Sequence, residues 1–105
     1  MARVIWSPQA LADFEAVGDY LAHEAPAYAQ AFVDGAFAAV ERLGLFPHSG
    51  RAVPEIEDTA LREVIYKGYR IFHVVSGTEE ETEVEILSVF HSTRQFGGGE
   101  GLEPR

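Results

Sequence analysis

Hydrophobic and polar positions are patterned most tightly between Leu61 and Val75, Leu-Arg-Glu-Val-Ile-Tyr-Lys-Gly-Tyr-Arg-Ile-Phe-His-Val-Val. Two runs rich in β-branched and aromatic residues flank Lys67-Gly68. A two-residue connection ending in Gly predicts a hairpin, because Gly accepts the positive φ that such turns need. The loop fixes the register: Tyr66 faces Tyr69, Val64 faces Ile71 and Arg62 faces His73. Alternation along each strand then puts Arg62, Val64, Tyr66, Tyr69, Ile71, His73 and Val75 on one face. Leu61, Glu63, Ile65, Arg70, Phe72 and Val74 share the other. Neither face is clearly polar, and a sheet apolar on both sides needs cover on both. Helices of the same chain can supply one cover. A partner is the expected source of the second.

The remaining periodicities place the other elements. Arg3-Val4-Ile5-Trp6 reads as a short strand. Ser7 suits an N-cap and Pro8 a first helical position, so a helix runs from about Pro8 to Glu24. Leu11, Phe14, Gly18 and Leu21, with Ala10 and Val17, form its apolar stripe. Ala25-Pro26 interrupts the pattern, and a second helix follows from about Pro26 to Leu43. Its stripe is Ala29, Phe32, Ala36, Val40 and Leu43, widened by Val33 and Phe37. Gly44 suits the position after the helix, and Pro47 acts as a stop. The short connection implies an antiparallel helical hairpin. Phe46 to Ala60 reads as a loop, Gly77 to Glu81 as an acidic turn, and Glu83 to Phe90 as a final strand. The order is β-α-α-β-β-β. The fold class is therefore α+β, a helical hairpin packed on a small antiparallel sheet with a mixed edge. The first strand can pair in parallel with a later one, because the helices supply the long crossover. Residues 1–96 form a single domain, and the Gly-rich residues 97–105 a flexible tail.

Composition narrows the function classes. A chain of 105 residues that is 47% hydrophobic is long enough and apolar enough for one core. No apolar run reaches the roughly 20 residues of a membrane span, and no signal-peptide layout opens the chain, so the cytoplasm is the default location. The absence of Cys excludes disulfides and thiolate metal sites. His23-Glu24 and His48 match no metal-ligand spacing, and no Gly loop precedes a helix to cradle phosphate, so no metal or cofactor is expected. A net charge of -9 disfavours broad electrostatic binding to nucleic acid. Five of the eight basic residues lie between 51 and 94, among nine acidic ones, so any basic patch must be made by folding.

An ordered set of short motifs carries a resemblance. It comprises Trp6-Ser7-Pro8, Pro47-x-x-Gly50-Arg51, Pro54-Glu55, Leu61-Arg62-Glu63, Tyr69-Arg70-Ile71 and Ile86-Leu87-x-x-Phe90-His91-x-x-Arg94. At these spacings, over roughly residues 3–96, the chain resembles the ParE/RelE toxin superfamily and looks closer to the ParE branch. The resemblance implies the toxin half of a bacterial type II toxin–antitoxin module. It also implies a small co-encoded antitoxin, ParD-like with a ribbon-helix-helix domain or similar, whose C-terminal segment wraps the toxin. ParE-like members act on DNA gyrase and are not thought to be nucleases. RelE-like members cleave mRNA in the ribosomal A site without a metal. A third alternative is a non-toxic relative that keeps antitoxin binding.

An RNase of this kind needs a positioned base or acid and several cations around a phosphate. RelE-like members supply Lys and Arg from the sheet and a Tyr near the C-terminus. Here Phe90-His91-Ser92-Thr93-Arg94-Gln95-Phe96 contains no Tyr, and the only Lys, Lys67, sits at a hairpin tip. His91 and Arg94 are the best substitutes, with His73 as another base. Candidate target- or antitoxin-binding residues are Arg51, Arg62, Tyr66, Tyr69, Arg70 and Arg94. Each also has a plain structural reading. Glu63 lies diagonal to Arg70 in the expected register, close enough for a cross-strand ion pair. Arg51 can anchor its loop, His73 can be a packed core histidine, and His91 with Arg94 can form a structural hydrogen bond.

Overall fold

The structure is a computed structural model that describes residues 1–57 and 60–92. The chain runs through β1 (Arg3–Trp6), α1 (Pro8–Glu24), α2 (Pro26–Glu41), a 3-10 turn (Arg42–Gly44), β2 (Arg51–Ala52), β3 (Leu61–Tyr66), β4 (Tyr69–Gly77) and β5 (Thr82–His91). The five strands form one mixed sheet in the order β1-β5-β4-β3-β2. β1 lies parallel to β5, with Arg3 opposite Glu83 and Trp6 opposite Ile86, and the other neighbours are antiparallel. The α+β architecture is the one expected, with two adjustments. A two-residue strand, Arg51–Ala52, forms inside the expected loop and pairs with Arg62 and Glu63. The last turn of the second helix tightens to 3-10 geometry, a common way to end a helix. Arg94 and the Gly-rich tail lie outside the described residues.

Local chemistry accounts for the main junctions. Ser7 Oγ accepts a hydrogen bond from the Ala10 amide at 3.0 Å and so caps α1. The same hydroxyl donates to the Leu87 carbonyl at 3.1 Å, tying the helix start to β5. The β3–β4 register is the expected one, Tyr66 opposite Tyr69 and Arg62 opposite His73. Lys67 and Gly68 both adopt positive φ, 45° and 88°, as a two-residue hairpin of matching twist requires. β5 carries a bulge: Phe72 faces Ser88 but His73 faces Ile86, so Leu87 has no opposite number. The extra residue returns Val89 to the face already used by Val84 and Ile86.

That face meets the helices. Ala10, Val40, Leu43, Ile71, Val84, Ile86 and Val89 form the core, with Trp6, Val17, Val64, Tyr66 and Tyr69 packed against it. The α2 stripe is buried as its spacing predicts, Ala29, Phe32, Ala36 and Val40 all pointing inward. In α1 the expected stripe faces inward at Ala10, Phe14, Val17, Gly18 and Leu21, and only Leu11, at its edge, is half exposed. Phe37, expected to widen the α2 stripe, is half exposed as well. The opposite sheet face is not left for a partner alone. The chain before β3 folds across it, and Val53 packs on Phe72 with Ile56, Leu61, Leu87 and Phe90 around them.

No atom lies within 4 Å of a Cβ placed on Gly68, so its backbone angle, not space, demands Gly. Gly68→Val should therefore lower stability by roughly 1–2 kcal/mol, the cost of forcing a β-branched residue to positive φ. Denaturant unfolding measures the loss. An unchanged midpoint would contradict the turn assignment.

Candidate functional site

The conspicuous polar assembly lies on the sheet face away from the helices. Glu63 and Arg70 point there from β3 and β4, as alternation dictates. Arg70 Nε donates to Glu63 Oε1 at 2.6 Å, and Arg51 Nε donates to Glu63 Oε2 at 2.6 Å. The two Nη atoms of Arg70 donate to the two oxygens of Glu55, each at 2.7 Å, a bidentate pair. Four charges thus alternate in sign along one chain of contacts. Exposure grades them: the Glu63 side chain is fully buried and Arg70 is 5% exposed, whereas Arg51 is 57% exposed. The paired Glu55 carboxylate keeps Arg70 charged far above any physiological pH, with Glu63 adding to it. In return, Arg70 holds the Glu55 carboxyl below its usual range.

The other candidates lie elsewhere. Arg62 Nη1 donates to the Gly50 carbonyl at 3.1 Å. Tyr66 packs on Phe32 from the helix side and rests its hydroxyl on Gly35. Tyr69 contacts Phe32 and, edge to face at 5.1 Å, His91. Burial raises the Tyr69 hydroxyl pKa, helped by Tyr20 and Tyr28, so this phenol is not poised to ionise. His73 is fully buried beside Gly50, and its Nε2 has no hydrogen-bond partner among the described residues. The candidates thus divide between two faces: Arg51 and Arg70 on one, Tyr66, Tyr69 and His91 on the other.

A cleft of about 610 Å³ opens at the edge of β5. β1 pairs only with Glu83 to Ile86, so β1 gives the second half of β5 no neighbouring strand. Helix α1 lies beside it instead. Asp13 Oδ2 accepts from the Val89 amide at 2.9 Å, and Asp13 Oδ1 accepts from Gln9 Nε2 at 2.7 Å. Tyr20, Tyr69, Phe90 and His91 are among the lining residues. Sequence reasoning did not single out Asp13 or Tyr20, nor give Glu55 a role. The spacing Gln9, Asp13, Val17, Tyr20 does mark one helical face, but nothing local tells which strand that face meets. Among the described residues, no group of three or more His, Asp or Glu is placed to hold a metal ion.

The model of the ParE toxin of type II toxin–antitoxin systems (parDE) matches residues 4–96. The chain belongs to the ParE toxin family. It is 32% identical over 96 residues to Toxin RelE2 of Caulobacter vibrioides, covering 90% of this chain and 99% of that one. Solved structures share the fold. The chromosomal ParDE system from P. aeruginosa superposes with a TM-score of 0.70 at 22% identity, over 87% of this chain and 96% of that one. The YoeB/ParE toxin from Agrobacterium tumefaciens gives 0.58 at 15%, over 85% and 97%. The RelBE2 toxin–antitoxin complex of Mycobacterium tuberculosis gives 0.56 at 22%, over 85% and 95%. This ParE-family chain is therefore a type II toxin of the ParE/RelE superfamily.

Two expectations follow from the polar groups. Arg70→Met should destabilise the toxin by about 3–5 kcal/mol, because it strands the buried Glu63 carboxylate. Arg51→Ala, removing an exposed partner, should cost under about 1 kcal/mol. Equal losses in chemical unfolding would contradict this grading. His73 concerns pH. Burial lowers its pKa from the ordinary 6.5, so the folded state resists protonation while the unfolded state does not. Stability should be level above pH 6.5 and fall by up to about 1.4 kcal/mol per unit as pH drops from 6.5 towards the lowered folded value. His73→Leu should remove that slope between pH 6.5 and 5, where few carboxylates titrate. A parallel slope in wild type and variant would exclude His73 as its source.

Proposed function

We propose that this toxin acts by binding a protein target, DNA gyrase, in the cytoplasm, and that a co-encoded ParD-like antitoxin neutralises it. The observation that carries this reading is the fate of the sheet cations. Arg70 is saturated by Glu55 and Glu63, and Arg51 is turned onto Glu63. Cations committed to internal carboxylates are poorly placed to stabilise a phosphate whose charge grows in a transition state. The helical layer points the same way. From Pro8 to Glu41 the sequence contains Asp13, Glu15, Asp19, Glu24, Asp34 and Glu41 and no Lys or Arg. Such a surface repels an RNA backbone and suits a polypeptide. The family's membership of toxin–antitoxin systems supports the antitoxin as partner.

The runner-up is a ribosome-dependent endoribonuclease. The position of His91 beside Tyr69 at the end of β5 favours it, since an imidazole there is of the residue type that serves as a general base or acid. The two mechanisms separate cleanly in purified systems. The toxin should inhibit gyrase supercoiling or trap cleaved DNA–gyrase complexes, and should leave ribosome-bound mRNA uncut. His91→Ala should reduce toxicity only modestly, because most single truncations in a protein interface cost under about 1 kcal/mol. A-site cleavage that falls by about 10²–10³ in His91→Ala, with folding intact, would establish the nuclease instead.

A further inference from the structure

The cleft between α1 and the second half of β5 contains one carboxylate, Asp13, and its hydrogen-bond partners are neutral: the Gln9 amide and the Val89 backbone amide. No Lys or Arg is among its described lining residues. The two carboxylates of the sheet network, Glu55 and Glu63, are matched with Arg70. Asp13 is bonded to neutral amides instead, and aromatic side chains share its cleft. Tyr20 is 59% exposed on the α1 wall, and Tyr69 and His91 stand on the sheet wall. A negative charge beside aromatic faces, in a recess with reduced water, is the environment that recognises a guanidinium or ammonium group. The surrounding helical layer, acidic and without Lys or Arg, adds long-range attraction for the same sign of charge.

We propose that this cleft receives an arginine or lysine side chain of the polypeptide partner, with Asp13 as its counter-ion and Tyr20 as the ring it stacks on. The proposal rests on the reading of this toxin as a protein-binding module and specifies that partner's chemistry: a basic anchor residue. The Gln9 and Val89 bonds hold the Asp13 carboxylate in place before the cation arrives, so little side-chain freedom is lost on binding. Apolar walls supplied by Val17, Leu87 and Phe90 suit the methylene stem of the same side chain.

The test needs no partner in hand. Acetyl-arginine methylamide and acetyl-norleucine methylamide are titrated into the full-length protein, and the Val89 amide and Tyr20 ring signals are followed by NMR. The arginine probe should shift both signals saturably, and the norleucine probe should not. Asp13→Asn keeps an acceptor for Val89 but removes the charge, and should weaken arginine binding about fivefold to tenfold with an unchanged melting temperature. Tyr20→Ala should weaken it by a similar factor and Tyr20→Phe should not. Phe37→Ala, away from the cleft, should change nothing. Equal binding of the two probes, or indifference to Asp13→Asn, would overturn the proposal. Tighter probe binding in Arg94→Gln would assign the cleft to the chain's own arginine and overturn it too. A second arm uses the co-encoded antitoxin. If it binds wild type and Asp13→Asn equally, the cleft assignment fails and the partner reading stands. If it does not bind at all while the arginine probe does, the partner reading fails and the cleft assignment stands.

Discussion

Arg70 is a buried cation in the middle strand of the sheet, and that constraint organises one whole side of the molecule. A charge removed from water costs several kcal/mol unless partners restore what water supplied. Glu63, on the neighbouring strand, provides one carboxylate but cannot satisfy a five-donor guanidinium alone. The second carboxylate has to arrive from outside the sheet, and Glu55 brings it, at the cost of holding the segment before β3 against the sheet face. Glu63 in turn has a second oxygen to satisfy, and Arg51 of β2 meets it. The two-residue strand β2, the seating of Val53 on Phe72 and the placement of Glu55 thus belong to one electrostatic arrangement. Replacing the charges with apolar residues of similar volume need not destabilise such an arrangement, but removing its buried cation, Arg70, alone does.

Much of this was legible in the sequence, for identifiable reasons. The Lys67-Gly68 turn fixes the hairpin register because a two-residue loop leaves no slack, and the register alone predicts that Glu63 and Arg70 pair. Ser7-Pro8 marks the start of α1 because capping chemistry is local. That β1 can pair in parallel with a later strand follows from the long crossover the helices supply, whereas its choice of β5 was not legible. What failed was non-local. No periodicity reveals that Leu87 is an extra residue in β5, since a bulge is defined by the strand opposite. β2 is too short for any pattern, and its pairing is driven by Arg51 and Glu63. The exposure of Leu11, at the edge of an otherwise inward-facing α1 stripe, depends on what lies beneath the helix. The expected need for a partner over the second sheet face assumed that loops do not cover sheets; Val53, Ile56 and Glu55 show one that does.

The candidate residues divide by the same logic. Of the residues chosen for their charge in the sheet, Arg70 is enclosed by neighbouring carboxylates, whereas Arg51 meets Glu63 through Nε and stays largely exposed. The cleft residues Asp13 and Tyr20 carried no motif, yet they are the polar and aromatic groups left facing an open edge. Residue type alone does not separate buried ion pairs from exposed cations, because the two have the same composition; burial and partner count do, and both require the fold.

The electrostatics of the whole chain then set the direction in which this toxin can be approached. One sheet face is partly covered by its own loop and charge network. The helical layer is acidic throughout, with exposed apolar side chains such as Leu11, Tyr20 and Phe37 among the carboxylates. A partner reaching that layer gains from positive charge at long range and from apolar contact at short range, and the two act at different stages. The first raises the encounter rate and fades with salt; the second sets the lifetime of the complex. An acidic helical layer therefore favours positively charged surfaces at long range and disfavours phosphate backbones, whatever contacts follow.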